Sequence, residues 1–374
     1  MLEKMTVNDL LHQFNYELDF TNENGPAVKY ITGPNGFGKT TILKLLVALY
    51  GADWKTMAAL PFKSFDCVID AKRLIVTKDE WQIVQDENSD EQDDLDVRLD
   101  ILFEGQKPLQ ISVKGRDGKF YTPKKSGDHS VEMILSQKKI LYIPDTRVIE
   151  KNLPKRNRKS PVKACNDSFI KYQSMLSDKI EDFLKSKLKN EFPVNEPTEG
   201  LKFPLVDKML EFGLNSEFLT DVKKYGLVVE RILEENGSVQ HEIDKLEKFM
   251  ELINRYEFIN KKISISEKDG FRFKLTDEYN TIVDLDDLSS GERQYLMLVY
   301  KMLFESSEHT LVLIDEPENS MHMSWILEFP KVIKELCKWS DLQFIICTHN
   351  SNIFEQRWDM SQDLFEKSRQ RMAE

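Results

Sequence analysis

Gly33-Pro34-Asn35-Gly36-Phe37-Gly38-Lys39-Thr40 is the stretch on which the fold turns. It fits the pattern GxxxxGK[ST], a phosphate-binding loop. Its glycines let backbone N–H groups wrap closely around an anion, in φ/ψ regions that a Cβ would forbid. Lys39 brings a positive charge to the β- and γ-phosphates, and Thr40 offers a hydroxyl to Mg²⁺. A following helix would point the positive end of its dipole at the same anion. The flanks suit this reading. Ala27–Thr32 (AVKYIT) is a short apolar strand running into the loop, and Thr40–Tyr50 (TTILKLLVALY) is apolar nearly all round, as in a helix buried on several sides. Upstream, His12–Phe20 partly alternates and reads as another strand.

Downstream, residues 61 to about 143 read as β structure. Strand candidates are Phe65–Ile69, Leu74–Thr77, Trp81–Gln85, Val97–Phe103, Leu109–Val113 and Ile140–Ile143, with turn chemistry such as Asp117-Gly118 between them. Seven acids crowd Asp86–Asp96. A solvated hairpin tip kept open by self-repulsion is the plain reading, and metal binding the sharper one. Lys151–Lys163 carries six basic residues and two prolines, so it reads as a linker, with a phosphate-backbone contact as the alternative. Helical periodicity follows in Phe169, Tyr172, Leu176, Ile180, Phe183 and Leu184, behind candidate caps Asn166 and Asp167. Val239, Ile243, Leu246, Met250, Ile253 and Tyr256 repeat it after Gly237. Strand signals return at Ile263–Ile265 and Phe271–Leu275.

Composition bounds the rest. The chain has 374 residues and a formal net charge of −12, with 40% apolar and 31% charged residues, which is globular rather than disordered. The acidic balance excludes whole-surface electrostatic capture of nucleic acid. No apolar run approaches the ~18 residues of a membrane span, and MLEKMTVNDL has no signal-peptide core, so a cytoplasmic location is expected. Cys67, Cys165, Cys337 and Cys347 lie far apart with no CxxC pair, which suggests neither a disulfide framework nor a zinc site.

Three later segments carry chemistry. Leu311-Val312-Leu313-Ile314-Asp315-Glu316 is a buried-strand run ending in two acids. Beside a phosphate loop, Asp315 would hold the Mg²⁺ shell and Glu316 would orient and polarise the attacking water. Leu288-Ser289-Ser290-Gly291-Glu292 precedes a helix expected over Arg293–Phe304, and by itself it reads as an N-cap with an acid in the first turn. His349 follows the strand Leu342–Cys347.

In that order, the four motifs make the sequence resemble the ABC-class ATPases, whose signature is close to LSGGQ and whose switch histidine follows a strand. Asp315–His322 (DEPENSMH) looks like the DEPE-x-x-LH form of OLD-like, RecF-like and SMC-like ATPases, and the whole resembles the PtuA-type ATPases of Septu and retron antiphage systems. The resemblance implies ATP and Mg²⁺ as ligands, with Asn35, Gly36, Phe37, Gly38, Lys39, Thr40 and Thr41 contacting nucleotide. Thr40 and Asp315 would take the metal, and Lys39, Glu316 and His349 the catalytic roles. Ser289, Ser290, Gly291 and Glu292 would face the nucleotide of a second copy, so that ATP joins two heads.

Three departures stand out. Thr40 and Gly291 are 251 residues apart, far more than in transporter ATPases. Pro144-Asp145-Thr146-Arg147 stands where a Q-loop glutamine is expected, leaving Asp145 or Arg147 as its replacement. Asn319-Ser320-Met321-His322 replaces a Ser-Ala-Leu-Asp form, as in the OLD-like branch.

The expected architecture is an α/β two-lobed head, a P-loop parallel-sheet core plus an antiparallel β subdomain, built from 1–150 and 261–374, with a helical insertion or arm over 151–260 as the partner-binding element. The expected function is an ATPase that dimerises on ATP and controls a separate effector, a nuclease or toxin, in antiphage defence. Only 25 residues follow His349, too few for the TOPRIM nuclease of OLD-like enzymes, so cutting would fall to another chain. A RecF- or SMC-type DNA-repair or DNA-binding ATPase is the alternative, with nucleic acid at Lys151–Lys163; a homo-oligomer without a membrane partner is expected in either case.

Overall fold

The computed structural model describes residues 1–22, 26–83, 94–116, 119–121, 123–127, 129–145, 160–191, 237–255, 260–266, 269–319 and 321–370. The fold is α/β and divides into two compact units, Met1–Lys151 with Glu305–Glu374, and Asn152–Phe304. The second unit runs past the expected boundary at 260/261, so Ser289–Glu292 lies in it.

The first unit contains two sheets. One is antiparallel, in the order β2-β1-β4-β5-β6-β7-β8, with β9 also on β7: β1 (Leu2–Leu10), β2 (Phe14–Asp19), β4 (Ser64–Ile69), β5 (Lys72–Ile83), β6 (Asp94–Phe103), β7 (Leu109–Arg116), β8 (Lys119–Phe120) and β9 (Lys124–Gly127). The other is parallel, in the order β10-β14-β15-β3-β16: β3 (Val28–Thr32), β10 (Ile140–Ile143), β14 (Leu311–Asp315), β15 (Gln343–Cys347) and β16 (Ser361–Asp363). All five residues of β14 and of β15 are buried, because a parallel sheet is covered on both faces and its strands read as unbroken apolar runs. Helix α1 (Lys39–Tyr50) buries Ile42, Leu43, Leu45, Leu46 and Leu49 completely, which explains its apolar surface all round. One apolar core joins α1, α2 (Trp54–Ala59) and α3 (Ser130–Ser136) to the inward faces of β1, β2 and β4–β7 and to Leu311, Leu313 and Ile345.

Two differences from the expected strands have physical causes. β1 carries no readable alternation, since its pairing shifts register between Leu2 and Lys4 and again between Val7 and Leu10, so its buried residues fall at irregular spacing. Leu74–Thr77 and Trp81–Gln85 are not two strands: β5 runs unbroken through the charged triplet Lys78-Asp79-Glu80. Lys78 keeps the inward phase of Leu74 and Val76, and its buried ammonium donates to Leu60 O at 2.8 Å, pairs with Glu80 and lies over the Phe62 ring. The acidic segment at 84–93 lies outside the described residues.

The second unit holds α4 (Pro161–Glu191), α5 (Gly237–Arg255), a small antiparallel sheet of β11 (Lys261–Ser266), β12 (Gly270–Leu275) and β13 (Ile282–Val283), and α6 (Ser290–Tyr300). The helix expected over Arg293–Phe304 is α6, which passes into a π-type turn at Lys301–Glu305. Phe169, Phe249, Phe271, Tyr300 and Phe304 form its aromatic centre, with Phe169 5.3 Å from both Phe271 and Phe304. The expected caps Asn166 and Asp167 are inside α4, not at its start. Pro161 opens the helix, where its missing N–H costs nothing, and the Ser160 carbonyl accepts from Ala164 N. Asn166 instead braces the β11–β12 turn, donating to Asp269 O and accepting from Phe271 N, both at 2.8 Å. Of the basic stretch expected as a linker, Pro161, Val162 and Lys163 are helical, and Lys163 is paired with Asp284 and Asp286. Lys151–Lys159 and Arg147 lie outside the described residues.

Candidate functional site

Three parallel strands deliver the site. Their carboxyl ends open side by side, the ordinary place for ligands in an open α/β sheet. β3 leads into the loop, where Gly33, Gly36 and Gly38 take φ of 134°, 87° and 90°, values reserved in practice for glycine. The space at Gly38 is closed as well, because a Cβ there would meet Leu10 Cδ2 at 2.7 Å. Phe37 anchors the loop: its carbonyl accepts from the Tyr16 hydroxyl at 3.0 Å and its ring packs on Phe14 and Phe365. α1 then begins at Lys39 behind Gly38, with no side-chain cap and no acid in its first turn, leaving its amino end suited to an anion.

Lys39 is 5% exposed, and its ammonium donates to Gly33 O at 2.9 Å and Pro34 O at 3.2 Å. Burial pushes its pKa down, while the carboxylates of Glu316, Asp315 and Glu318 push back. Its third neighbour is His349 Nε2, at 2.8 Å. That same nitrogen lies 3.0 Å from Glu316 Oε1. One ring nitrogen cannot accept from the ammonium and donate to the carboxylate at once, so the imidazole has two mutually exclusive partners.

Thr40 Oγ1 donates to Asp315 Oδ2 at 2.8 Å, joining the loop to the end of β14. Among the described residues, Asp315 Oδ1 is buried without a hydrogen-bond partner. Burial raises the Asp315 pKa, and only part of that is offset by Thr40 and Lys39. An orphaned carboxylate oxygen beside a threonine hydroxyl is a hard-oxygen donor set that fits Mg²⁺. Glu316 adopts φ 48°, the left-handed region, a strained setting for a non-glycine residue and common at functional sites. Its N–H continues the strand pairing to Cys347 O at 2.9 Å, and its second oxygen accepts from Asn319 Nδ2 at 2.7 Å.

Lys39, Thr40, Asp315, Glu316 and His349 thus form one polar cluster. Asn35 and Gly36 lie exposed on the loop before it, and Thr41 is half-buried in α1. Ser289, Ser290, Gly291 and Glu292 belong to the other unit. There Ser289 caps α6 in a capping box: its hydroxyl accepts from Glu292 N, and Glu292 Oε2 accepts from Ser289 N at 2.7 Å. Glu292 Oε1 accepts from Lys261 Nζ at 2.8 Å, so this buried carboxylate is taken up inside its own unit rather than offered to a ligand. Ser289 and Ser290 are exposed.

Sequence reasoning left four residues without a role. Tyr142 on β10 reaches Asp315 Oδ2 at 3.5 Å, and Asn319 joins Glu316 to Asp145 at 3.2 Å. Glu318 accepts from the His349 backbone N–H, and Leu364, at the start of α8 (Leu364–Gln370), the helix that follows α7 (Met323–Ser340), lies against Gly33. Glu318 was visible as the third acid of DEPE; Tyr142 and Leu364 become neighbours only through sheet order, as does Asp145 for Asn319.

The profile of a known protein family, described as "AAA domain, putative AbiEii toxin, Type IV TA system", matches residues 30–355. The chain belongs to this AAA family. No curated protein matches this AAA-family chain. Among solved structures it is similar to an Smc head domain with extended coiled coil bound to the C-terminal domain of ScpA, from Pyrococcus furiosus (15% identity, 94% of this chain and 90% of that chain covered, TM-score 0.40). It is similar also to an SmcHead bound to the C-winged helix domain of ScpA (14%, 94% and 91%, 0.42) and to the SMC head domain from Thermotoga maritima (13%, 96% and 92%, 0.37). No helix among the described residues is long and apolar enough to cross a membrane.

Proposed function

We propose that this AAA-family chain binds ATP at residues 33–41, hydrolyses it, and uses ATP-dependent head-to-head pairing to control a separate effector, a nuclease or toxin, in bacterial antiphage defence. The observation that carries the reading is the convergence of Lys39, Thr40, Asp315, Glu316 and His349 from three strand ends onto one cluster. Thr40 and Asp315 would hold Mg²⁺, whose chemistry there is to neutralise the triphosphate charge. Lys39 leaves the Gly33 and Pro34 carbonyls for the β- and γ-phosphates. Glu316, held by Asn319, orients the attacking water and takes its proton. His349, placed between Lys39 and Glu316, exchanges one partner for the γ-phosphate and so senses it. Ser289 and Gly291 of a second copy complete the charge stabilisation.

The effector role draws on the DEPENSMH form at Asp315–His322 and on a family description that names a toxin and a toxin–antitoxin system. Purified protein with Mg²⁺ and ATP should turn over ATP and form a dimer; absence of nucleotide affinity with Mg²⁺ present would remove the whole reading. The RecF- or SMC-like alternative rests on the basic sequence Lys151–Lys163, and it predicts salt-sensitive stimulation of turnover by DNA.

A further inference from the structure

We infer that Glu318 is the positioning residue that holds His349 at the reacting end of the site, an inference that rests on the proposed hydrolysis for its kinetic readout only. The turn after β14 folds back, with Asn319 N on Glu316 O at 3.2 Å and Met321 N on Glu318 O at 3.1 Å. This brings the Glu318 carboxylate over the end of the neighbouring strand β15. Its Oε1 accepts twice, from Thr348 Oγ1 at 2.6 Å and from His349 N at 2.8 Å. The Thr348 hydroxyl in turn accepts from Asn350 N at 3.0 Å. His349 is therefore clamped on both sides: its own amide is held by Glu318, and the next amide by a hydroxyl that Glu318 orients.

Burial strengthens the clamp. Thr348 is completely buried, and among the described residues Glu318 Oε2 is buried without a hydrogen-bond partner, so both donors to this carboxylate meet at Oε1. Charge-assisted bonds to one anionic oxygen are short and strong. A clamp is required because the His349 ring is a third exposed and lies between two competing partners, Lys39 and Glu316. Nothing in the ring's own hydrogen bonds selects one geometry, whereas a fixed backbone does. The Glu318 hydrogen bonds go to Thr348 and His349, and its charge also favours the Lys39 ammonium; its hold on the geometry of the site runs through His349.

The test uses Glu318→Ala, Glu318→Gln, His349→Ala and the Glu318→Ala/His349→Ala double variant in the full chain. Expected is a fall in kcat of tenfold or more in Glu318→Ala with KM for ATP within about twofold, recovery of most of kcat in Glu318→Gln, whose amide oxygen still accepts, and no further loss in the double variant beyond His349→Ala. Additive losses, or wild-type kcat in Glu318→Ala, overturn the inference. ¹⁵N resonances of the His349 ring, identified by their disappearance in His349→Ala, supply a readout without turnover. They should shift in Glu318→Ala and stay in place in Glu318→Gln, and an unmoved ring in Glu318→Ala overturns the inference even in a protein that hydrolyses nothing. Failure of hydrolysis in the wild type counts against the proposed function and leaves the ring measurement to decide on Glu318.

Discussion

Glu316 combines a strained backbone, a buried neighbour in Asp315, a hydrogen bond from Asn319 to one carboxylate oxygen and His349 Nε2 3.0 Å from the other. Removing its charge while keeping its shape isolates its chemistry. Glu316→Gln should retain ATP affinity and lose turnover by a factor of about 10²–10⁴, the usual worth of a general base; steady-state hydrolysis beside equilibrium nucleotide binding checks this, and unchanged turnover removes Glu316 from the role. Gly38 makes a different demand, on space and torsion together. Gly38→Ala forces a side chain to φ 90° and a Cβ toward Leu10, so it should cost about 1–3 kcal/mol in denaturant unfolding.

At the scale of elements, α6 is held at its amino end by the box of Ser289 and Glu292, and the box is tied to β11 through Lys261. Burial pushes the Glu292 pKa up, but Lys261 and the Ser289 N–H and hydroxyl outweigh it, and the carboxyl sits below its ordinary range. A depressed folded-state value means that the charged form stabilises the fold. That contribution is present above the unfolded carboxyl value of about 4.3 and is lost as pH falls through the lower folded value. Lys261→Met should cost about 1–3 kcal/mol at neutral pH by leaving the carboxylate short of a partner, and the difference from wild type should shrink in acid. Thermal unfolding of both proteins from pH 7 to pH 3 measures it; a pH-independent gap would show that the pair does not carry the effect. The loop has its own brace in the Tyr16 hydroxyl, and Tyr16→Phe should cost about 0.5–1.5 kcal/mol.

For the whole molecule, the prediction concerns association. With Mg²⁺ and ATP, Glu316→Gln should accumulate as a dimer in sedimentation velocity, and Ser289→Arg in the same background should return it to monomer without weakening ATP binding. A variant that stays dimeric despite Ser289→Arg would exclude the signature segment from the interface. The phosphate loop, the buried strand before Asp315 and the strand before His349 were legible because each is a local pattern: glycines at fixed offsets, or an apolar run too regular to be a surface strand. β1 and the unbroken β5 were not, since register shifts and a buried, compensated lysine hide the alternation that marks a strand. The start of α4 was misread because proline in sequence signals a break, and only the preceding serine turns it into a first helical position.

Sequence alone determined the α/β class and named five cluster residues, Lys39, Thr40, Asp315, Glu316 and His349, because backbone torsion and strand burial constrain residue type position by position. Tertiary structure alone decided which of them touch. Strand order β10-β14-β15-β3 brings residues some 310 positions apart to 2.8 Å, and it assigns Glu318, Asn319 and Tyr142 to the same cluster. The reason is physical: hydrogen-bond partnership across parallel strands depends on the order of their packing, and no local pattern along the chain encodes that order.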